Sequence, residues 1–120
     1  MSATSFDPTS FYQVARDLSA GHADEEYLRT AISRAYYACY HLARLGCLRK
    51  WSWSPPEYDR HRAVVRKLMD QQLLYLGHRL RDLLNLPELA DYDLNARVDA
   101  ALCGRALDLA AELVPRLRSL

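Results

Sequence analysis

The sequence predicts an all-α protein, an antiparallel bundle of four to five helices, and three observations carry that prediction. Apolar residues recur at helical spacings along almost the whole chain. Strict two-residue alternation, the mark of a half-buried strand, is absent, and only four glycines interrupt the pattern. At 120 residues the chain is one domain's worth. It is long enough to bury roughly two-thirds of its unfolded surface without a disulfide or metal staple.

Each element has its own signals. Asp7-Pro8 opens the first helix, with Asp as N-cap and Pro at the first helical position, and Gly21 closes it after about Ala20. Asp24, Glu25 and Glu26 put negative charge in the first turn of a second helix that runs to about Leu48. Trp51-Ser52-Trp53-Ser54-Pro55-Pro56 cannot continue it, because consecutive prolines remove donors and displace the preceding residue from the α region. A third helix is expected from Glu57 or Tyr58 to Gln71, and a fourth from Gln72 to Asn85 with Gly77 weakening its interior. Leu86 to Asp93 reads as a connector containing Pro87, with Asp91 and Asp93 placed to cap the final helix. Asn95 opens that fifth helix, which reaches Arg118. Its apolar face is Val98, Leu102, Ala106, Leu109, Leu113 and Leu117, and Pro115 would kink or fray the last turn.

Composition excludes several classes. Cys39, Cys47 and Cys103 fit no close metal-ligand spacing. The first two lie about 12 Å apart along a helix, too far for a disulfide. Three small apolar thiols in or near the core, and a cytoplasmic setting, are the expectation. Met1 to Ser5 lacks the basic and apolar segments of a signal peptide, and no stretch is apolar enough to span a membrane. No Gly-rich phosphate loop or His-Glu-x-x-His pattern is present, so no metal or other cofactor is expected.

The net charge of +1 conceals a basic island. Residues 44–81 hold nine Arg or Lys against three acids, whereas 1–43 hold three against five and 82–120 four against seven. Such a stretch suits a polyanion, and equally a solvated helix face. For RNA, the candidate binding residues are Arg44, Arg49, Lys50, Arg60, His61, Arg62 and Arg66. Trp51 and Trp53 stand ready either to stack on bases or to pack the loop onto the bundle.

At 100° per residue the second helix divides into three stripes. Leu28, Ile32, Ala35, Cys39, Leu42 and Gly46 form the core stripe. Beside it run Arg29, Ser33, Tyr36, Tyr40, Ala43 and Cys47, then Tyr27, Thr30, Arg34, Tyr37, His41 and Arg44. Tyr36, Tyr37 and Tyr40 are candidates for a dimer or partner face, since tyrosine buries a ring while keeping a polar tip. The alternative is that Tyr36 and Tyr40 cap a wide core. Arg34 and His41 are the candidate catalytic pair, one holding a phosphate and the other moving a proton. Their alternative is an Arg stacked on tyrosine and a hydrogen-bonded His.

The run Ser33-Arg34-Ala35-Tyr36-Tyr37-Ala38-Cys39-Tyr40-His41 resembles the second-helix signature of HEPN domains. His61 resembles the His that opens the third helix in small stand-alone prokaryotic members, and Ala90-Asp91-Tyr92-Asp93 resembles their A-D-Y-D segment. The resemblance covers about Phe11 to Leu113. It implies a homodimer in an RNA-linked, toxin–antitoxin or defence system, and in many members a metal-independent endoribonuclease. It also implies, as an alternative, a non-catalytic subunit paired with a nucleotidyltransferase-like antitoxin or other protein partner. The ribonuclease members carry an Arg and a His near the start of a late helix. Here Pro87 stands where such an Arg is common, Tyr92 and Asp93 occupy the region of the His, and the Arg-x6-His spacing occurs at Arg34 and His41.

Overall fold

The computed structural model describes residues 6–21, 24–92 and 98–120, with the side chains of 89–92 left aside. Five helices form: α1 (Thr9–Gly21), α2 (Glu25–Trp51), α3 (Arg60–Asp70), α4 (Leu74–Tyr92) and α5 (Ala100–Arg118), and the described residues contain no strand. The architecture is the expected helical bundle. The long α2 runs through its middle and packs against all four others.

Local chemistry explains most boundaries. The Asp7 carboxylate accepts from the Thr9 amide at 3.0 Å, capping α1, and that bond holds its pKa below the ordinary carboxylate value. At the start of α2 the Asp24 side chain makes no capping bond, and the first-turn acid works elsewhere. Glu25 pairs with Arg29 at 3.3 Å and accepts from the Val98 amide at 3.3 Å, tying the approach to α5 onto α2. The helix outlasts its expected end by one turn. It is closed by Ser52 in the left-handed region (φ 51°), whose amide donates to the Leu48 carbonyl at 3.0 Å.

Four expectations are corrected. The third helix begins at Arg60, after Asp59 in the left-handed region (φ 55°). The fourth does not stop at Asn85 but continues through Pro87 to Tyr92, so Asp91 lies inside a helix and not in a connector. A proline in a helix interior costs about 3 kcal/mol. Here Pro87 is buried, in line with the buried Leu80, Leu83 and Leu84, and that packing opposes the cost. The cap of α5 is Asp99, whose carboxylate accepts from the Leu102 amide at 3.0 Å. The expected starter Asn95 and the flanking Asp93 lie outside the described residues. Pro115 leaves α5 helical to Arg118.

The core is broader on α2 than one stripe. Ala31, Ser33, Tyr36, Ala38, Tyr40, Ala43 and Cys47 are buried along with the stripe residues Ile32, Ala35 and Cys39. A central helix with neighbours on several sides has little face left to expose. The three cysteines are free and buried, and burial pushes the Cys39 thiol up to about 12. Gly46 allows a close approach. A Cβ there would lie 2.8 Å from the Cβ of Leu120, which folds back over α2. No helix among the described residues is long and apolar enough to cross a membrane.

Candidate functional site

On the flank where α2 meets α1 and α3, aromatic and imidazole rings form one connected cluster. Tyr40 sits at its centre, 4.2 Å between centroids from His61 of α3 and 5.0 Å from His41. Tyr36 stacks on Tyr40 at 5.9 Å, and its hydroxyl lies 2.7 Å from His61 Nδ1. Burial drives the Tyr36 pKa far up, with Tyr40 and Glu88 adding to it. The protonated phenol therefore donates to Nδ1, and we assign the remaining His61 proton to Nε2.

Both imidazoles are half-buried and both titrate below their ordinary value. Burial is the main cause for each, followed by the Arg44 guanidinium for His41 and Arg60 for His61. Two neutral imidazoles thus flank one phenol, with Arg44 3.4 Å from His41 Nδ1. Among the described residues no carboxylate lies within ion-pair distance of Arg44 or Arg60. Among the described residues the buried Tyr40 hydroxyl has no hydrogen-bond partner. Cations without counter-charges beside neutral bases make a place where an anion is welcome.

The other candidate residues are spread over the bundle. Arg34 does not meet His41 through a hydrogen bond. Its guanidinium lies over Phe11 at 5.8 Å and Tyr37 at 5.6 Å, and His41 contacts those same rings at 5.9 and 6.3 Å. The stacked arrangement for Arg34 is the one observed, and His41 shares its ring cluster with His61. Tyr36 and Tyr40, each 2 % exposed, belong to the chain's own interior and not to a free docking face, while Tyr37 is partly exposed. Their hydroxyl-bearing rings fill the space where α2 packs on α3.

Trp51 and Trp53 pack on the core, with the Lys67 ammonium 5.7 and 5.6 Å from their ring centroids and Lys50 5.9 Å from Trp51. That corner is already occupied by its own cations. Arg49 and Lys50 are exposed at the end of α2. Arg62 and Arg66 are committed to carboxylates. Arg62 meets Glu88 at 2.8 Å and Asp59 at 3.9 Å, and Arg66 meets Asp59 at 3.6 Å. Of the basic island, then, Arg44, Arg60 and His61 come together with His41, and the rest lie apart or are neutralised.

Two participants escaped the sequence. Phe11 links α1 to the cluster, and no pattern in the sequence singled it out. Glu88 was placed in a connector, where it had no face. On the extended α4 it closes a cavity of about 340 Å³ between α2, α3 and α4. The cavity adjoins Tyr36, Tyr37 and His61 and is walled on its apolar side by Leu84 and Pro87. No group of three metal-ligating side chains occurs among the described residues.

No family profile matches the chain, and comparison with characterised proteins and with solved structures finds no match.

Proposed function

We propose that this chain is an RNA-binding module of the HEPN type whose phosphate site is the Tyr40-centred cluster, equipped for metal-independent cleavage. The observation that carries the reading is the pair of neutral imidazoles, His41 and His61, on either side of Tyr40 beside the unneutralised Arg44 and Arg60. The guanidinium groups hold the phosphodiester and stabilise charge that builds on its non-bridging oxygens. His41 takes the proton of the 2′-hydroxyl as that oxygen bonds to phosphorus. His61, protonated once the anion has raised its pKa and with its Nδ1–H then turned to the Tyr36 oxygen, gives its Nε2 proton to the departing 5′-oxygen, leaving a 2′,3′-cyclic phosphate. The HEPN resemblance of the α2 motif supports the same substrate class. It also carries the homodimer and the nucleotidyltransferase-like partner, and light scattering at twice the 13.8 kDa chain mass is the expected result for the dimer.

The test is a labelled single-stranded RNA incubated with protein and excess chelator, read for both complex and product. Wild type binds with a steep salt dependence and releases cyclic-phosphate product, and His41→Ala or His61→Ala lowers the rate by about 10²–10⁴-fold. Binding that is absent, or indifferent to salt, overturns the reading. Retained binding with no product removes the cleavage step alone.

A further inference from the structure

The cavity beside His61 has a chemistry of its own, and its walls suit a flat heterocycle. Leu84 and Pro87 give it an apolar side, and the rings of Tyr36 and Tyr37 border it on α2. Its volume of about 340 Å³ lies at the small end of the roughly 300–1,000 Å³ typical of small-molecule sites. At its polar rim a donor and an acceptor stand together, Arg62 Nη2 bonding both oxygens of Glu88 at 2.8 and 3.0 Å.

We infer that this cavity is a guanine subsite, in which Glu88 and Arg62 read the base. Guanine alone among the four bases presents two adjacent donors, N1–H and the 2-amino group, and a carboxylate accepts both at once. It also presents two acceptors, O6 and N7, which an Arg fork matches. Adenine and cytosine offer the carboxylate one donor beside a lone pair, and uracil offers one donor between two carbonyls, so each meets repulsion there. The resident Arg62–Glu88 pair is no obstacle. Both side chains are substantially exposed, and exposed ion pairs contribute little. Arg62 also has Asp59 at 3.9 Å to hold it when Glu88 turns to the base. His61 borders both the cavity and the Tyr40 cluster, so a base seated here places its own phosphate near Arg60.

The guanine can be carried by an RNA strand or by a free nucleotide. Only the strand arm rests on the proposed RNA binding. The experiment measures binding of guanosine, inosine and adenosine monophosphates to the full chain, alongside an oligouridine and the same strand with one central guanosine. Guanosine monophosphate is expected to bind at least tenfold tighter than adenosine monophosphate, with inosine monophosphate between them for want of the 2-amino group. Glu88→Gln, similar in size and checked by its melting curve, is expected to erase the preference.

A tenfold gain from the single guanosine assigns the strand as carrier, and a gain for the free nucleotide alone assigns the small molecule. Equal binding of all three monophosphates, or a preference unchanged in Glu88→Gln, overturns the guanine assignment. Salt-sensitive binding of oligouridine with no gain from guanosine also overturns it, while leaving the RNA reading in place. Guanosine monophosphate binding without any RNA binding overturns that reading and supports the pocket.

Discussion

Two tyrosines, each set between cationic or imidazole groups, sit at different places in the bundle and have opposite characters. Tyr75 of α4 lies on the surface between Arg79 and Arg116, both guanidinium carbons 5.4 Å from its ring. Its hydroxyl donates to Glu112 at 2.8 Å, and Arg79 pairs with Asp82 at 3.3 Å. The hydroxyl and Arg79 each meet a carboxylate, while Arg116 lies against the ring with no ion pair among the described residues. Tyr40 lies inside, between His41 and His61; among the described residues its hydroxyl has no hydrogen-bond partner, and Arg44 and Arg60 meet no carboxylate within ion-pair distance. The phenol hydroxyl is satisfied in one place and, among the described residues, left without a partner in the other. The buried, unsatisfied hydroxyl beside two half-buried imidazoles is the feature on which the proposed phosphate site rests.

The contrast can be broken at several points. Truncating the rings separates them most. Tyr40→Ala opens the interior and is expected to cost about 3–5 kcal/mol by denaturant titration, whereas Tyr75→Ala, at a half-exposed position, costs under about 1 kcal/mol. Equal losses would remove the distinction between core and surface.

Charge removal comes next. Arg44→Ala with Arg60→Ala is expected to weaken single-stranded RNA binding about tenfold or more and to flatten the log–log salt slope by about 0.7 per residue. Arg79→Ala with Arg116→Ala should leave both nearly unchanged. The reverse pattern would move the nucleic-acid face to α4 and α5.

Hydroxyl deletion is subtler. Tyr75→Phe loses a surface hydrogen bond and about 0.5 kcal/mol. Tyr40→Phe removes an unsatisfied buried group and should be neutral or stabilising by up to about 1 kcal/mol. A clear loss in Tyr40→Phe would show that its hydroxyl has a partner after all.

The smallest effect is that of pH. His41 and His61 have folded pKa values below the unfolded one, so the unfolded chain binds more protons over that interval. Their contribution is fully present above the unfolded value of about 6.5 and is lost as pH falls from there through the lowered folded values. Melting temperature should therefore be level from pH 8 to 7 and decline below about 6.5. His41→Asn/His61→Asn should flatten that decline.

The helices were legible because periodicity and punctuation act locally. Asp7 as a cap and the proline-rich break after Trp51 depend on neighbours a few residues away. Pro87 shows where such reading stops. Its local cost is fixed by backbone chemistry, but whether the helix continues depends on how Leu80, Leu83, Leu84 and Pro87 pack against partners distant in sequence. The misplacement of Glu88 followed directly from that. Arg34 and His41 likewise share a helix stripe, yet both lie against Phe11, a residue of α1 that the stripe does not contain.

By itself, then, the sequence determined the all-helical class, the order of five helices, the buried free thiols and the concentration of aromatic and basic residues on and just after α2. Those features come from hydrophobic spacing, capping and composition, which act over a turn or two of chain. The tertiary structure decided which cations are neutralised and which are left open. It also turned Tyr36 and Tyr40 inward, and it set Glu88 opposite Arg62 across a cavity. Each of these is a meeting of side chains from different helices, and only the packing of those helices sets the distances on which charge and hydrogen bonding depend.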